Sequence, residues 1–130
     1  MKIIEVVAAI IKHDDKILCV QRGTSKYDYI SEKWEFPGGK IEENESAEEA
    51  LEREIKEELS LTISNIDFFI SVLHNYPDFT IKLDFFNCYV TDKSLELTEH
   101  IDFRWLAENQ LGSLDWAAAD IPAVKKLVQS

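Results

Sequence analysis

Residues 39–61 read GKIEENESAEEALEREIKEELSL, and the reading of the whole chain turns on them. Ser46 has the character of a helix N-cap, and Glu49 three residues on completes a capping box. Ala47 to Leu59 contains no glycine or proline and is rich in Glu, Leu, Ala, Lys and Arg, so it predicts a helix. On that helix Glu54, Glu57 and Glu58 stand at i, i+3 and i+4 and share one face. Like charges at this spacing repel and destabilise a helix, and a cation relieves them. Oxygen donors gathered without Cys or His favour a hard ion, Mg²⁺ or Mn²⁺ as its substitute, over zinc. Three glutamates alone also fit a solvated acidic face. The residues around them separate the two readings.

Gly39, Glu45, Arg53, Glu54, Ile55, Glu57, Glu58 and Leu61 fall in register on the pattern G-x5-E-x7-R-E-U-x-E-E-x-G-U, where U is a bulky aliphatic residue. In this the chain resembles the Nudix hydrolases. One position departs, because the second glycine of the pattern is Ser60. That residue follows the helix, where a left-handed conformation is commonly needed, and serine adopts it at some cost. The expectation is a slightly strained helix end and an intact site.

The 130 residues, 45% hydrophobic and 30% charged, suit one soluble globular domain, 1–130. No apolar run is long enough to span a bilayer, and the first residues lack the form of a signal peptide, so a cytoplasmic location is expected. Cys19 and Cys88 each lie in an apolar run and predict buried free thiols. His13, His74 and His100 show no metal-ligand spacing; His13 belongs to a turn and the other two read as strand-edge residues. The net charge of −11 argues against nucleic-acid or anionic-membrane partners. It is also unfavourable for a phosphorylated substrate, unless a divalent cation neutralises both parties.

Ile3 to Ile11 is nearly continuously apolar and reads as a central strand, with Ile17 to Gln21 returning beside it after a turn at 13–16. Gly23 to Lys33 is a polar loop, and Trp34 to Lys40 leads into the helix, with glycines at 38 and 39 that permit a sharp turn or close backbone approach. Thr62 to Asn75 and Thr80 to Val90 predict a hairpin around the turn 76–79. Thr91 to Ile101 reads as loop, Asp102 to Leu106 as a short strand and Ala107 to Leu111 as a helical turn. A last helix opens at Asp120-Ile121-Pro122, with Asp120 as its N-cap.

These elements imply an α+β fold. The Nudix resemblance, which runs over essentially the whole chain, implies a mixed β-sheet sandwiched between α-helices, with the box as a loop–helix–loop on the sheet. It further implies that Glu57 and Glu58 ligate metal, that Glu54 is a ligand or the base that deprotonates water, and that Arg53 orients these glutamates through ion pairs. A carbonyl of Gly38 or Gly39 completes the metal shell in that picture. Glu45 is structural or an outer partner. Glu99 stands where MutT-like members carry an extra glutamate near the metals, although a solvated loop glutamate fits as well. Arg22 corresponds to a nucleotide-holding arginine or is an ordinary surface residue. Glu35, Phe36, Pro37, Gly38 and Tyr76 are expected with it at the substrate, and Ile4, Val6, Phe36, Tyr76 and Leu83 suit either a base pocket or the core.

The segments IEVVAAII, WEFPGGKIE and ADIP resemble the MutT-type nucleoside triphosphate pyrophosphohydrolases, especially their CTP branch. Asp120 takes the place of an asparagine that reads oxidised guanine; ionised, it only accepts hydrogen bonds and so suits an amino group of cytosine or adenine. The expected activity is Mg²⁺-dependent cleavage of a nucleoside triphosphate, pyrimidine first, to monophosphate and pyrophosphate, by a monomer or homodimer. Removal of 8-oxo-dGTP in nucleotide-pool sanitation and DNA repair is the alternative, and a non-catalytic nucleotide sensor is an alternative of another class.

Overall fold

Strand β1 (Ile3–His13) is the spine of a computed structural model that describes residues 2–129. Its side chains alternate between two apolar layers, which explains the unbroken apolar run. Val7, Ala9 and Ile11 pack on one face with Leu51, Ile55 and Leu59 of helix α1 (Ala47–Leu59), whereas Ala8 and Ile10 pack on the other with Ala123, Val124 and Leu127 of helix α2 (Ile121–Gln129). A strand buried on both faces carries no polar alternation. The sheet lies between the two helices in an α+β architecture.

Strand β1 pairs in parallel with β6 (Thr80–Tyr89) from Ile3 to Lys12, and β6 forms a long antiparallel hairpin with β5 (Ser64–Asn75). Along its other side, β1 joins β2 (Lys16–Arg22) only at Lys12↔Ile17 and His13↔Lys16, through a two-residue turn in which Asp14 and Asp15 both have positive φ. That geometry matches the right-handed twist of a tight hairpin. Beyond those two rungs β2 leaves β1 and pairs instead with β3 (Trp34–Glu35) and β7 (His100–Leu106). The vacated edge of β1 is taken by β4 (Gly38–Lys40), at Val6↔Lys40, Val7↔Gly39 and Ala8↔Gly38. This splay of β2 from β1 opens the cleft that holds the site.

Several expectations are corrected here. Residues 34–35 and 38–40 are strands, and β7 begins at His100, so the 91–101 loop is shorter than the sequence suggests. The helical turn after β7 is a 3-10 helix, Glu108–Ser113, and a second one, Ala118–Asp120, leads into α2. Asp120 is not the N-cap of α2. Its carboxylate accepts instead from the amide of Phe36, 84 residues away. Neither Gly38 nor Gly39 has positive φ, so close approach rather than turning is what they supply. Cys19 and Cys88 are buried free thiols, as expected, with burial pushing each up to about 12. Among the described residues, no helix is long and apolar enough to cross a membrane.

Helix α1 starts with the full capping box: the Ser46 hydroxyl accepts from the Glu49 amide, and the Glu49 carboxylate accepts from the Ser46 amide. It ends at Ser60 with φ 58° and ψ 31°, the left-handed conformation that favours glycine. For an L-residue that conformation costs about 1–2 kcal/mol, offset in part by the greater unfolded-state freedom of glycine. Replacement Ser60→Gly is therefore expected to stabilise the protein by about 0.5–1 kcal/mol. The gain should register as a higher urea midpoint at unchanged slope. An unmoved midpoint would show that the helix end carries no strain.

Candidate active site

Arg53 gathers the acidic residues of the helix and its approach. Its Nε donates to Glu45 Oε2 at 2.6 Å and its Nη2 to Glu45 Oε1 at 3.0 Å, a bidentate pair. Its Nη1 donates to Glu54 Oε1 at 2.8 Å and, at 3.4 Å, to Glu57 Oε2 one turn on. A further bond from Nη2 to the Lys40 carbonyl ties the helix to β4. The hydrogen bonds that Arg53 donates hold the Glu45 carboxyl below its usual range, and the same bonds keep the guanidinium firmly protonated. Glu45 also accepts from the Glu42 amide, which shapes the loop into the helix.

Gly39 faces Glu54 directly: a Cβ there would overlap the Glu54 carboxyl, and a Cβ on Gly38 would overlap the Val7 carbonyl of β1. Gly38 is thus required by space for the sheet, whereas a side chain at Gly39 would displace the Glu54 carboxyl. Burial raises the pKa of Glu54 against the lowering effect of Arg53.

Glu58 is the most constrained carboxyl of the set. It is 7% exposed, and its Oε1 is buried without a hydrogen-bond partner. Burial, a hydrogen bond with Glu99 and the nearby Glu54 charge push it up to about 9. Glu99 is brought there by the end of α1. The Thr98 hydroxyl donates to the Glu58 carbonyl and the Glu96 amide to the Leu59 carbonyl, satisfying carbonyls that the helix leaves unpaired. The loop that carries Glu99 therefore also serves as the C-terminal cap of α1.

An orphaned carboxylate oxygen beside two further carboxylates, all hard oxygen donors, fits a divalent cation and no soft one. Glu54, Glu58 and Glu99 could hold it. As the side chains stand, no three carboxylates among the described residues form a ready ion cage. Arg53 draws Glu54 and Glu57 to itself, and the Glu57 side chain is 61% exposed.

Glu54, Glu58, Glu99, Gly38 and Gly39 line a cleft of about 750 Å³, together with Arg22 and Glu35. Phe36, Tyr76 and Asp120 line it too, as do Ile4, Val6 and Leu83; of the residues suited to base pocket or core, all but Ile4 also belong to the core or pack against it. Pro37, Arg53 and Glu57 do not line it; the Pro37 carbonyl accepts from Ala9 and fastens the β3–β4 bend to β1. Asp120 is 4% exposed, and burial first, then the Glu35 charge, raises its pKa well above the usual carboxylate range. The Tyr76 hydroxyl accepts from the Ala119 amide and so fixes the turn that carries Asp120.

The sequence missed one buried participant. His100 is not a strand-edge bystander: its Nε2 lies 3.0 Å from Glu35 Oε2, while Glu35 Oε1 accepts from Arg22 at 3.4 Å. Tyr27, Tyr29 and Phe79 were also without an assigned role. Tyr29 stacks on both Tyr27 and Tyr76 and donates to Asp78 at 2.6 Å, joining the 23–33 loop to the tip of the β5–β6 hairpin at the rim of the cleft. Aromatic residues in two turn-forming segments were the only signal of that pairing.

The Glu58 carboxyl makes the cation-free protein sensitive to base. A folded-state pKa raised from 4.5 to about 9 contributes stability fully below 4.5 and loses it as pH climbs through about 9. Glu58→Gln imitates the neutral carboxyl and lacks that loss. In chelator, the midpoint of wild type minus that of Glu58→Gln should therefore fall across this window, and Mg²⁺ should restore the wild type at the alkaline end. Parallel curves with and without Mg²⁺ would refute the assignment.

The NUDIX domain pattern matches residues 1–127. The chain is 36% identical over 125 residues to the CTP pyrophosphohydrolase of Escherichia coli K12, covering 96% of this chain and 91% of that one. It is 28% identical over 127 residues to the 8-oxo-dGTP diphosphatase of the same organism, covering 98% of each. The solution structure of a MutT protein of methicillin-resistant Staphylococcus aureus 252 superposes with a TM-score of 0.75 at 43% identity, covering 98% of this chain and 97% of that one. With its capped glutamate helix set on a splayed mixed sheet, this chain belongs to the Nudix hydrolase family.

Proposed function

We propose that the protein is a Mg²⁺-dependent nucleoside triphosphate pyrophosphohydrolase that releases a monophosphate and pyrophosphate, with cytosine nucleotides as its first substrates. The observation that carries this is that one cleft is lined both by the carboxyl groups of Glu54, Glu58 and Glu99 and by Phe36, Tyr76 and Asp120. Its volume suits a ligand of nucleotide size. The likeness to the E. coli CTP pyrophosphohydrolase over nearly the whole chain supports the same substrate class.

A bound Mg²⁺ neutralises the phosphates and lowers the pKa of its water. The rest falls to this chain. Glu57, Glu58 and Glu99 would hold the cation, with a Gly38 or Gly39 carbonyl as a further oxygen donor. Glu54, raised in pKa by burial yet held by Arg53, is placed to take a proton from the attacking water. Arg22, with Lys26 and Lys40, supplies positive charge to a cleft that also carries five or more carboxyl groups. Phe36 and Tyr76 offer aromatic faces to the base, and Asp120 reads its edge.

The state of Asp120 keeps a second reading. Ionised, it accepts from the cytosine amino group. Its burial favours the neutral form, which also donates, and so suits an edge with an acceptor beside its donor. Oxidised guanine offers such an edge, and a likeness to an 8-oxo-dGTP diphosphatase accompanies it. On this reading the protein serves nucleotide-pool sanitation in the cytoplasm. A nucleotide sensor without turnover would have no use for the buried, unpartnered Glu58 oxygen.

The test is pyrophosphate release from natural and damaged (d)NTPs with Mg²⁺. Release is expected from cytosine nucleotides, reduced about a hundredfold or more in Glu57→Gln. Asp120→Asn should move the profile toward oxidised guanine. Release that persists in Glu57→Gln would remove Glu57 from the metal set, an unchanged profile in Asp120→Asn would leave Asp120 as a purely structural acceptor for Phe36, and no release from any nucleotide would overturn the proposal.

A further inference from the structure

The ladder between β2 and β7 is regular from Ile17↔Leu106 to Gln21↔Asp102, and then it shifts: Arg22 stands opposite His100, and Ile101 is passed over. A bulge of this kind turns the displaced side chains to the opposite faces of the strand. The result runs against ordinary burial preferences. Ile101 is left 57% exposed and His100 is buried to 9%, with its Nδ1 enclosed and unpartnered. A regular ladder would have set Ile101 opposite Arg22. The fold accepts an exposed isoleucine and an unsatisfied ring nitrogen, and what it obtains is the contact between His100 Nε2 and Glu35 Oε2.

Facing a carboxylate, Nε2 is the nitrogen that carries the proton and donates. In the neutral ring the orphaned Nδ1 is then a lone pair and not a stranded N–H. The Glu35 carboxylate has reason to leave its place, since it lines the same cleft as Glu58 and Asp120 and is close enough to act electrostatically on both. Two donors oppose that: His100 on one oxygen and Arg22 on the other. Arg22 is itself 45% exposed at the side chain, so its aim into the cleft depends on Glu35 staying put.

We propose that His100 is a positioning residue for nucleotide binding, holding Glu35 through the β2–β7 bulge so that the Arg22–Glu35 pair is set in the cleft before substrate arrives. His100 does not line the cleft, so it acts only through Glu35. The proposal rests on the reading of the cleft as a nucleoside triphosphate site. It assigns the residue an effect on KM and not on the chemical step.

Steady-state kinetics with Mg²⁺ and CTP or dCTP test it. His100→Leu should raise KM about tenfold and leave kcat within about twofold, the signature of a lost charge-assisted hydrogen bond in binding alone. His100→Gln keeps an N–H donor at similar reach and should bring KM back to within about threefold of wild type. In a Glu35→Gln background, His100→Leu should add less than about twofold, because the contact it removes is already altered. Independent losses that multiply, or a kcat that falls with KM unchanged, would overturn the proposal. A second readout needs no substrate: the ring ¹⁵N signals of His100 should show the Nε2–H form in wild type and lose that preference in Glu35→Gln. A tautomer indifferent to Glu35→Gln would overturn the contact, whereas a nucleotide screen with no turnover but a responsive tautomer would fault the substrate reading.

Discussion

The site depends on one guanidinium. Arg53 reaches Glu45 with a fork, Glu54 and Glu57 with one nitrogen and the Lys40 carbonyl with another, so a single cation joins the loop, the helix and β4. Without it, Glu54, Glu57 and Glu58 would be three like charges on one helical face, each favouring a rotamer away from the others. Lysine could not substitute, since an ammonium offers a point charge where five N–H directions are needed. Arg53 does not line the cleft, yet the directions of the Glu54 and Glu57 carboxylates are fixed in reference to it.

The rest of the architecture fixes where that helix sits. β2 parts from β1 after two rungs, and the residues that fill the gap include glycines because β4 lies against the Val7 carbonyl on one side and Glu54 on the other. The acidic composition then takes on a local meaning. Glu35, Glu54, Glu58, Glu99 and Asp120 line a single cleft in a chain of net charge −11, with Arg22 beside them. Burial of Glu58 and Asp120 favours their neutral forms, which moderates the charge gathered there.

What was legible in the sequence is what local chemistry specifies. The capping box, the one-face glutamates and the left-handed Ser60 all depend on residues within a turn or two of each other, and the structure bears them out. The doubly buried β1 was legible because both faces are apolar. Strands β3 and β4 were not, since two or three residues give no period to detect. Asp120 illustrates a different limit. Asp before Ile-Pro is a sound N-cap pattern, but the amide of Phe36 competes for the carboxylate across 84 residues and wins inside the core, where an unpaired N–H is costly.

His100 was hidden for a related reason. Its strand reads normally from Asp102 onward, and only the bulge, a feature of pairing and not of composition, moves it from the edge into the interior. A bulge weakens a ladder, and here it also exposes an isoleucine and strands a ring nitrogen. Local preferences and global fold usually agree, and positions where they conflict tend to be functional. By that criterion the β2–β7 bulge and the buried oxygen of Glu58 are conflicts of the same kind. Each leaves a polar atom unsatisfied, one on a residue that lines the cleft and one on the residue whose other ring nitrogen holds the cleft-lining Glu35.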